Sequence, residues 1–460
     1  MGGSRELGCC TGDRSDATRA KRIAPSYGRA GNPSGRAALS RGRFGGDAGP
    51  SSRRPLTVQP EAPLSTKPVA AVGKAAAAAS RSWPWWPLLP LYPYGHRRTV
   101  VRELVAEQVW SFEQLQGVFY VAVPIRMTVL RLAQGLLLYA PVPPTGEVRA
   151  ALADLERRYG PVCTIVLPSS SGLEHKLPVP AMARAFPRAE VWVTPQQWSF
   201  PVRLPLPLLG FPLGRTRVLF EQGVPHASEL EWTLLGPLDL GLGAFGEVAC
   251  LHRASGCLLV TDALVAIGDT PPPVFDDDPT PLLFHARERG DEALLDSPER
   301  RRKGWQRLVL FASYLRPATL DVPGWLEVLG QAFAPGLRQA KAYFGLYPFR
   351  WKPNWQEEFR ALVPEGRPAI QVAPVLERLV FPRSRSALVA WLRQLAQGDG
   401  VRWLVPAHYD AIPCSAAELG EVADQLEQRA WAPSAGSWAY LAGIDGALLR
   451  FKLIPDQPER

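Results

Sequence analysis

Hydrophobic residues occur along this chain in two patterns. Short continuous runs rich in Val, Leu, Ile, Phe and Tyr are typical of strands, whereas apolar residues at every third or fourth position are typical of helices. The first pattern predicts strands at Gly117–Val123, Met127–Leu132, Gly135–Ala140, Val162–Leu167, Glu190–Val193, Arg217–Phe220, Trp232–Leu235, Gly246–His252, Gly256–Thr261 and Arg402–Pro406. The first three strands, placed around Pro124, predict an antiparallel meander, and Arg253–Gly256 predicts a hairpin turn.

The helical pattern is clear after the third predicted strand, where Val148, Leu152 and Leu155 share one face and Gly160 follows the last turn. The same pattern predicts helices at Gly146–Arg158, Val179–Ala185, Glu299–Tyr314, Trp325–Phe333, Trp355–Leu362, Arg385–Ala396 and Ala416–Arg429. Strands with helices before, between and after them predict an α/β or α+β protein rather than an all-β sandwich. A β-rich half, followed by a helix-rich half that returns to a strand, fits a four-layer αββα sandwich.

The net positive charge of the chain comes from its first 95 residues. Residues 1–95 carry 14 Lys or Arg and five acidic residues, whereas the rest of the chain carries 38 of each sign. A leader rich in Arg, Ser, Ala and Gly is typical of a transit peptide, so we expect residues 1–80 to direct the protein to the chloroplast stroma. The alternative is a disordered basic tail that binds acidic partners. Residues 81–95 hold too many prolines for a helix and predict an extended Pro/Trp-rich segment.

Composition also bears on the partner classes. The neutral remainder of the chain gives no support for nucleic acid as a main partner. Because no apolar run reaches the roughly 18–20 residues that span a bilayer, we expect no transmembrane segment. Six cysteines without a CxxC pair indicate a reducing compartment rather than a disulfide framework or a cysteine zinc site.

Three strand-like runs lead to residues that can bind a metal ion. Residues 165–168 lead to Glu174 and His175, residues 258–261 lead to Asp262, and residues 403–407 lead to His408. Because the ends of separate strands can meet at one edge of a sheet, these four side chains predict a shared metal site. Two imidazoles with one or two carboxylates suit Zn, Fe or Mn, with one position open to water. The alternative is that Glu174 and His175 hydrogen-bond within a loop, Asp262 caps a turn, and His408 is a core histidine.

Other chemistry-bearing residues have simpler interpretations. His226 lies between the two groups and is a candidate extra ligand, although a surface-loop histidine is favoured. The serines of 169–172 lack the Gly-x-Ser-x-Gly elbow of a serine hydrolase. Cys250 and Cys257 are candidates for a cross-hairpin disulfide, with buried thiols favoured. Aromatic residues are candidates to line a pigment or lipid pocket, with core packing favoured; they are Trp83–Trp86, Trp198, Phe200, Trp305, Trp351 and Trp355.

The segment Ser169-Ser-Ser-Gly-Leu-Glu-His-Lys, between a strand and a helix, resembles the metal-binding loop of metallo-β-lactamase-like domains. The family has His-x-His-x-Asp-His there, so Glu174 and His175 match the last pair, while Ser170 and Gly172 replace the earlier histidines. The hairpin that ends at Asp262 and the turn Pro406-Ala-His-Tyr resemble two further elements of that site, although Gly243 stands where the hairpin histidine belongs. The resemblance implies one divalent metal held by Glu174, His175, Asp262 and His408, with Asp262 and Glu174 in catalysis.

The chain also resembles, more narrowly, a family of cyanobacterial and chloroplast proteins of unknown function with this fold. The resembling stretches begin at Leu138, Leu167, Pro195, Lys303 and Tyr347 and read LYAPVPPTGE, LPSSSGLEHK, PQQWSFP, KGWQR and YPFRW. The resemblance implies an α+β, metallo-β-lactamase-like domain over 96–440 with a helical insertion at about 285–400, and a C-terminal tail over 441–460.

Fold likeness does not supply a reaction. The leading hypothesis is single-metal hydrolysis of a small ester, thioester or phosphoester. The alternative is a non-catalytic chloroplast binding or assembly protein, with a protein partner, that retains the fold.

Overall fold

The computed structural model describes residues 80–88, 90–118, 120–197, 204–241, 243–332, 339–429, 431 and 433–456. The predicted leader therefore lies outside the described residues, apart from its last position. In the described part of the chain, none of the helices is long and apolar enough to span a bilayer.

A seven-stranded sheet forms the first half of the fold, in the spatial order β1 to β7. Its strands are β1 (Val100–Val105), β2 (Val109–Val118), β3 (Val121–Leu132), β4 (Gly135–Tyr139), β5 (Val162–Leu167), β6 (Glu190–Val193) and β7 (Thr216–Val218). The first four are antiparallel neighbours, as the predicted meander requires, and β4 to β7 are parallel. The parallel strands end at the same edge, which is the edge that carries Glu174 and His175.

A five-stranded sheet forms the second half, in the order β16-β15-β10-β9-β8. Its strands are β8 (Leu230–Asp239), β9 (Ala244–His252), β10 (Cys257–Val260), β15 (Trp403–Pro406) and β16 (Ile412–Pro413). The predicted hairpin joins β9 to β10, and β15 pairs in parallel with β10. Since β10 and β15 run in the same direction, Asp262 and His408, which follow these two strands, emerge at one edge.

Helices precede, connect and follow these strands. They are α1 (Gly146–Tyr159), α2 (Leu173–Lys176), α3 (Val179–Ala185), α4 (Thr280–Ala286), α5 (Pro298–Tyr314), α6 (Trp325–Gln331), α7 (Trp355–Leu362), α8 (Pro374–Leu379), α9 (Arg385–Leu395), α10 (Ala416–Gln428) and α11 (Ala439–Arg450). Two short sheets pair β11 (Leu264–Ala266) with β14 (Ile370–Val372) and β12 (Leu320–Asp321) with β13 (Arg350–Trp351). Local capping sets several helix starts: Thr145 accepts from the Val148 amide before α1, and Ser415 forms a capping box before α10.

Three apolar cores define the layers. One packs α1 and α3 against the seven-stranded sheet, one lies between the two sheets, and one packs α9 and α10 against the five-stranded sheet. The predicted α+β fold class, a four-layer αββα sandwich, is confirmed by this order. A fourth core joins α4, α5 and α7 and contains Trp305, Trp351 and Trp355. These three tryptophans are buried, as the interpretation of core packing expected. Trp198 and Phe200 lie outside the described residues.

Some predicted boundaries are wrong. Pro124 does not separate two strands: β3 runs through it, and the predicted strand Gly117–Val123 contains the turn between β2 and β3. A proline is tolerated because β4 pairs with β3 only over residues 128–132, so no bond to β4 is lost at Pro124. The hydrophobic pattern did not predict β1 or most of β2. In β2, polar residues such as Glu113 and Gln114 interrupt the apolar run although they are buried in the structure.

The end of the chain contributes to the packed structure. Residues 439–450, which overlap the segment assigned to a C-terminal tail, form α11, and its Asp445 is buried. The Asp445 carboxylate accepts from Arg378 Nη1 at 2.8 Å and from Arg383 Nη2 at 2.7 Å. A paired buried carboxylate of this kind ties α11 to α8 and the residues after it.

Candidate metal centre

His175 is the most buried member of the candidate site. It lies on the short helix α2, just beyond the end of β5, and is fully buried. Its Nδ1 lies 3.1 Å from the carbonyl oxygen of Pro141, and because a carbonyl only accepts, Nδ1 carries the proton. Nε2 therefore carries a lone pair, and it has no hydrogen-bond partner among the described residues. A buried acceptor without a donor is costly, so this atom is suited to a cation.

His408 is oriented in the same way. It follows β15, and its Nδ1 lies 3.0 Å from the carbonyl oxygen of Pro124, which again assigns the proton to Nδ1 in the neutral ring. Its Nε2 lies 3.2 Å from Asp262 Oδ1 and 3.9 Å from Glu174 Oε1. The imidazole nitrogen thus faces two carboxylates, an arrangement that requires a positive charge, either a proton on the ring or a bound cation.

The structure brings all four sequence-predicted residues together. The ligand atoms of Glu174, His175 and His408 all lie within 4.8 Å of one another, whereas Asp262, which the sequence also predicts as a ligand, lies outside this cluster and contacts His408 Nε2 at 3.2 Å. Two imidazoles, each held by a backbone carbonyl on its other nitrogen, and a carboxylate match the donor set of catalytic zinc sites. The residues present therefore fit one divalent ion.

Burial and charge act in opposite directions on the site. Burial lowers the pKa of His408, but the hydrogen bond to Asp262 and the charges of Asp262 and Glu174 together raise it by more than burial lowers it. The net pKa of His408 is therefore above 6.5. For His175 burial dominates and the pKa is lowered. Burial raises the pKa of Asp262, but His408 outweighs it and the net pKa is lowered. Asp262 is accordingly ionised at neutral pH, and His175 is neutral.

Replacing Asp262 by asparagine is expected to lower the pKa of His408 in protein stripped of metal with a chelator. The wild-type folded pKa lies above the unfolded value of 6.5, so the stabilisation from this pair is present below about pH 6.5 and is lost as pH rises through the folded pKa. The wild type should therefore exceed Asp262→Asn in free energy of unfolding by more at about pH 5 than at about pH 8.

An NMR titration of the His408 ring and urea unfolding at both pH values measure this effect. Asp154→Asn is the control, because Asp154 pairs with Arg157 at 2.7 Å on α1, away from the cluster. An identical His408 titration in wild type and Asp262→Asn would contradict the prediction.

Sequence reasoning missed Glu247, which holds the Asp262 segment in place. Glu247 is fully buried on β9, and its carboxylate accepts from the amides of Thr261 at 2.6 Å, Asp262 at 3.0 Å and Ala263 at 2.8 Å. Burial and the charge of Asp262 raise the pKa of Glu247 to about 7, against the three amides, which favour the carboxylate. The available signal was a glutamate inside the otherwise apolar run 246–252.

Arg126 holds the segment that carries His408 in place. This buried side chain on β3 donates from Nε to Glu113 at 2.9 Å, from Nη2 to the Tyr409 carbonyl at 2.6 Å, and from Nη1 to the Pro406 carbonyl. It therefore holds the chain on both sides of His408. The signal was an arginine in the middle of a hydrophobic stretch.

The serines of the loop 169–172 have a structural role. Ser169 Oγ donates to Asp262 Oδ2 at 3.2 Å and accepts from the Gly172 amide at 3.0 Å. Ser170 Oγ donates to the Ala244 carbonyl at 2.9 Å, which ties the loop to β9. The serines thus position Asp262 and the start of α2.

Two secondary candidates lie elsewhere. His226 Nε2 pairs with Thr164 Oγ1 at 2.8 Å, and His226 is outside the cluster of ligand atoms. Cys250 and Cys257 are free thiols, and the hairpin register places Cys250 opposite Leu259 and Cys257 opposite His252. The favoured interpretation, two buried thiols, is therefore confirmed, and the alternative of a cross-hairpin disulfide is excluded because the two cysteines are not paired positions.

Fold and site together define a four-layer αββα protein with a candidate metal centre at the sheet edge. Residues 106–423 match the family described as "Domain of unknown function (DUF4336)", and the chain belongs to this family. A comparison with curated proteins finds no match.

Among solved structures the chain is similar to metallo-β-lactamases. The mono-zinc form of FIM-1 from Pseudomonas aeruginosa is 8% identical, with 71% of this chain and 95% of that one covered and a TM-score of 0.32. The enzyme from Pontibacter korlensis is 12% identical, with 72% and 100% covered and a TM-score of 0.30. The enzyme from Erythrobacter litoralis, with β-mercaptoethanol in its active site, is 11% identical, with 73% and 99% covered and a TM-score of 0.31.

Proposed function

We propose that the protein is a metal-dependent hydrolase that uses one divalent ion, Zn, Fe or Mn, held by Glu174, His175 and His408. The observation that carries the proposal is the convergence of their ligand atoms within 4.8 Å, with Nε2 of His175 buried and unpaired among the described residues. A divalent ion bound there would supply Lewis acidity, lowering the pKa of a water and polarising a substrate oxygen.

Asp262 is the proposed general base. Its carboxylate is ionised, is positioned by Ser169 and by the backbone bonds to Glu247, and is 17% exposed. It can therefore orient an attacking water and accept its proton, as a positioned carboxylate does in general base catalysis. Glu174, 21% exposed, is placed both to ligate and to carry a proton to the leaving group. We place this activity on small-molecule esters in the chloroplast stroma, after removal of the leader.

Metal content tests the proposal. Purified full chain is expected to bind about one ion, and His175→Ala and His408→Ala are expected to lose most of it, because each removes one nitrogen ligand. Hydrolysis of a nitrophenyl ester should fall in parallel. Elemental analysis after dialysis measures the metal, and His226→Ala is the matched control, a partly exposed histidine outside the cluster. Equal metal content in the wild type, His175→Ala, His408→Ala and His226→Ala would contradict the proposed hydrolase function.

A non-catalytic chloroplast binding or assembly protein is the second candidate. The observation in its favour is the contact of His408 Nε2 with Asp262 and Glu174, which a proton on the ring satisfies without metal. A defined protein that co-purifies equally with wild type, His175→Ala and His408→Ala would support this candidate.

A further inference from the structure

The candidate metal centre opens into a cavity of about 640 Å³. Glu174, Asp262 and His408 line one part of its wall, and His408 is 15% exposed there. Cavities of this volume are typical of sites for small organic ligands. Whatever fills the cavity therefore has access to the same side chains that are proposed to bind the metal.

The rest of the wall is mainly apolar and comes from several elements. Val121, Val123 and Ile125 project from one face of β3, since alternate residues of a strand share a face. Phe311 at the end of α5 and Phe349 beside it add aromatic surface. A wall of this composition favours a hydrocarbon chain over a polar ligand.

The charged residues of the cavity lining also favour an uncharged ligand. No lysine or arginine is among the described residues that line the cavity, while Glu174 and Asp262 are. The guanidinium of Arg126 is buried and already engaged by Glu113 and two carbonyls. In the metal-free protein, a carboxylate or phosphate on a ligand would therefore be desolvated beside two acids, with only the His408 ring of the cavity lining to supply a positive charge.

We propose that the substrate class of this site is an uncharged carboxylic ester or thioester with an apolar acyl chain of medium length. The chain lies in the cavity, and the reacting carbonyl faces Glu174, Asp262 and His408. This assignment rests on the proposed hydrolase function. Water adds its hydroxyl to the acyl carbon, the bond from that carbon to oxygen or sulfur breaks, and the remaining proton goes to the alcohol or thiol that leaves.

Displacement of an uncharged fluorescent dye, 1-aminoanthracene, from the full chain tests the assignment. Methyl butyrate, methyl hexanoate and methyl octanoate should bind with affinities that rise about fourfold for each added methylene. In protein stripped of metal with a chelator, octanoate ion should bind more than about tenfold more weakly than methyl octanoate, because its charge then lies beside Glu174 and Asp262. Equal affinity across the methyl esters, or equal binding of the ion, overturns the proposal.

Two cavity variants, Ala312→Trp and Val121→Lys, and one control variant make the binding test specific to the cavity. Ala312 lines the cavity from α5 and is partly exposed, so Ala312→Trp should fill the space and weaken methyl octanoate binding at least about tenfold. Gln306→Trp is the matched control, because Gln306 is also partly exposed on α5 but lines a different cavity. Val121→Lys places a cation on the wall and should shift the preference from methyl octanoate toward octanoate. Unchanged binding in both cavity variants overturns the proposal.

Failure of the two proposals can be told apart. Metal content is measured on the same preparations, and its absence counts against the hydrolase. Dye displacement does not require metal, so His175→Ala should retain the dependence on chain length. Loss of that dependence while metal is present in the wild type counts against the substrate class alone.

Discussion

Glu247→Ala is expected to lower the free energy of unfolding by about 3–9 kcal/mol and to reduce metal content, because Asp262, which contacts Nε2 of the ligand His408 at 3.2 Å, loses its position. The substitution leaves the amides of Thr261, Asp262 and Ala263 without their buried acceptor, and each orphaned donor costs about 1–3 kcal/mol. The segment that carries Asp262 then loses its anchor to β9. Urea unfolding and elemental analysis measure the two effects.

Glu231→Ala is the control for Glu247. Glu231 lies on the neighbouring strand β8 and forms a partly exposed ion pair with Arg253 at 3.0 Å. Exposed pairs of this kind contribute about 0–1 kcal/mol, so this variant should retain its stability and its metal. Equal loss of stability in both variants would show that the three amide bonds are not the reason for the effect.

Arg126→Met is expected to cost about 3–5 kcal/mol and to reduce metal content severalfold. Glu113 remains buried with only Arg102 as its other ion-pair partner, and the carbonyls of Pro406 and Tyr409 lose their donor. His408 lies between those two carbonyls, so its ring should lose its fixed orientation. Urea unfolding, metal content and the His408 NMR signal report these changes.

Arg131→Met is the control for Arg126, since Arg131 lies on the same strand with a side chain that is 46% exposed and that makes a long ion pair to Glu107 and a cation–π contact with the Tyr159 ring. Little change in stability is expected, within about 1 kcal/mol. A folded Arg126→Met protein with full metal content would contradict a role for Arg126 in positioning His408.

Strands with uninterrupted apolar residues were predictable. The predicted boundaries of β5 and β6 match the structure, because each is a continuous hydrophobic run buried between layers. β1 and most of β2 were not predicted, and within β2 the buried Glu113, Gln114 and Gln116 interrupt the apolar residues. Local pattern does not reveal that such polar groups are paired inside the protein.

The sequence by itself determined which chemical groups are available at the strand ends and which layers the chain can form. Glu174, His175, Asp262 and His408 were identifiable because each follows a run that must be a strand, and such runs end together at a sheet edge. Only the tertiary structure decided that their atoms converge, that Pro141 and Pro124 assign the proton on each imidazole, and that an apolar cavity adjoins them. The physical reason is that buried polar groups take their partners from other segments of the chain, 34 residues away for His175 and 284 residues away for His408, and no local pattern encodes that pairing.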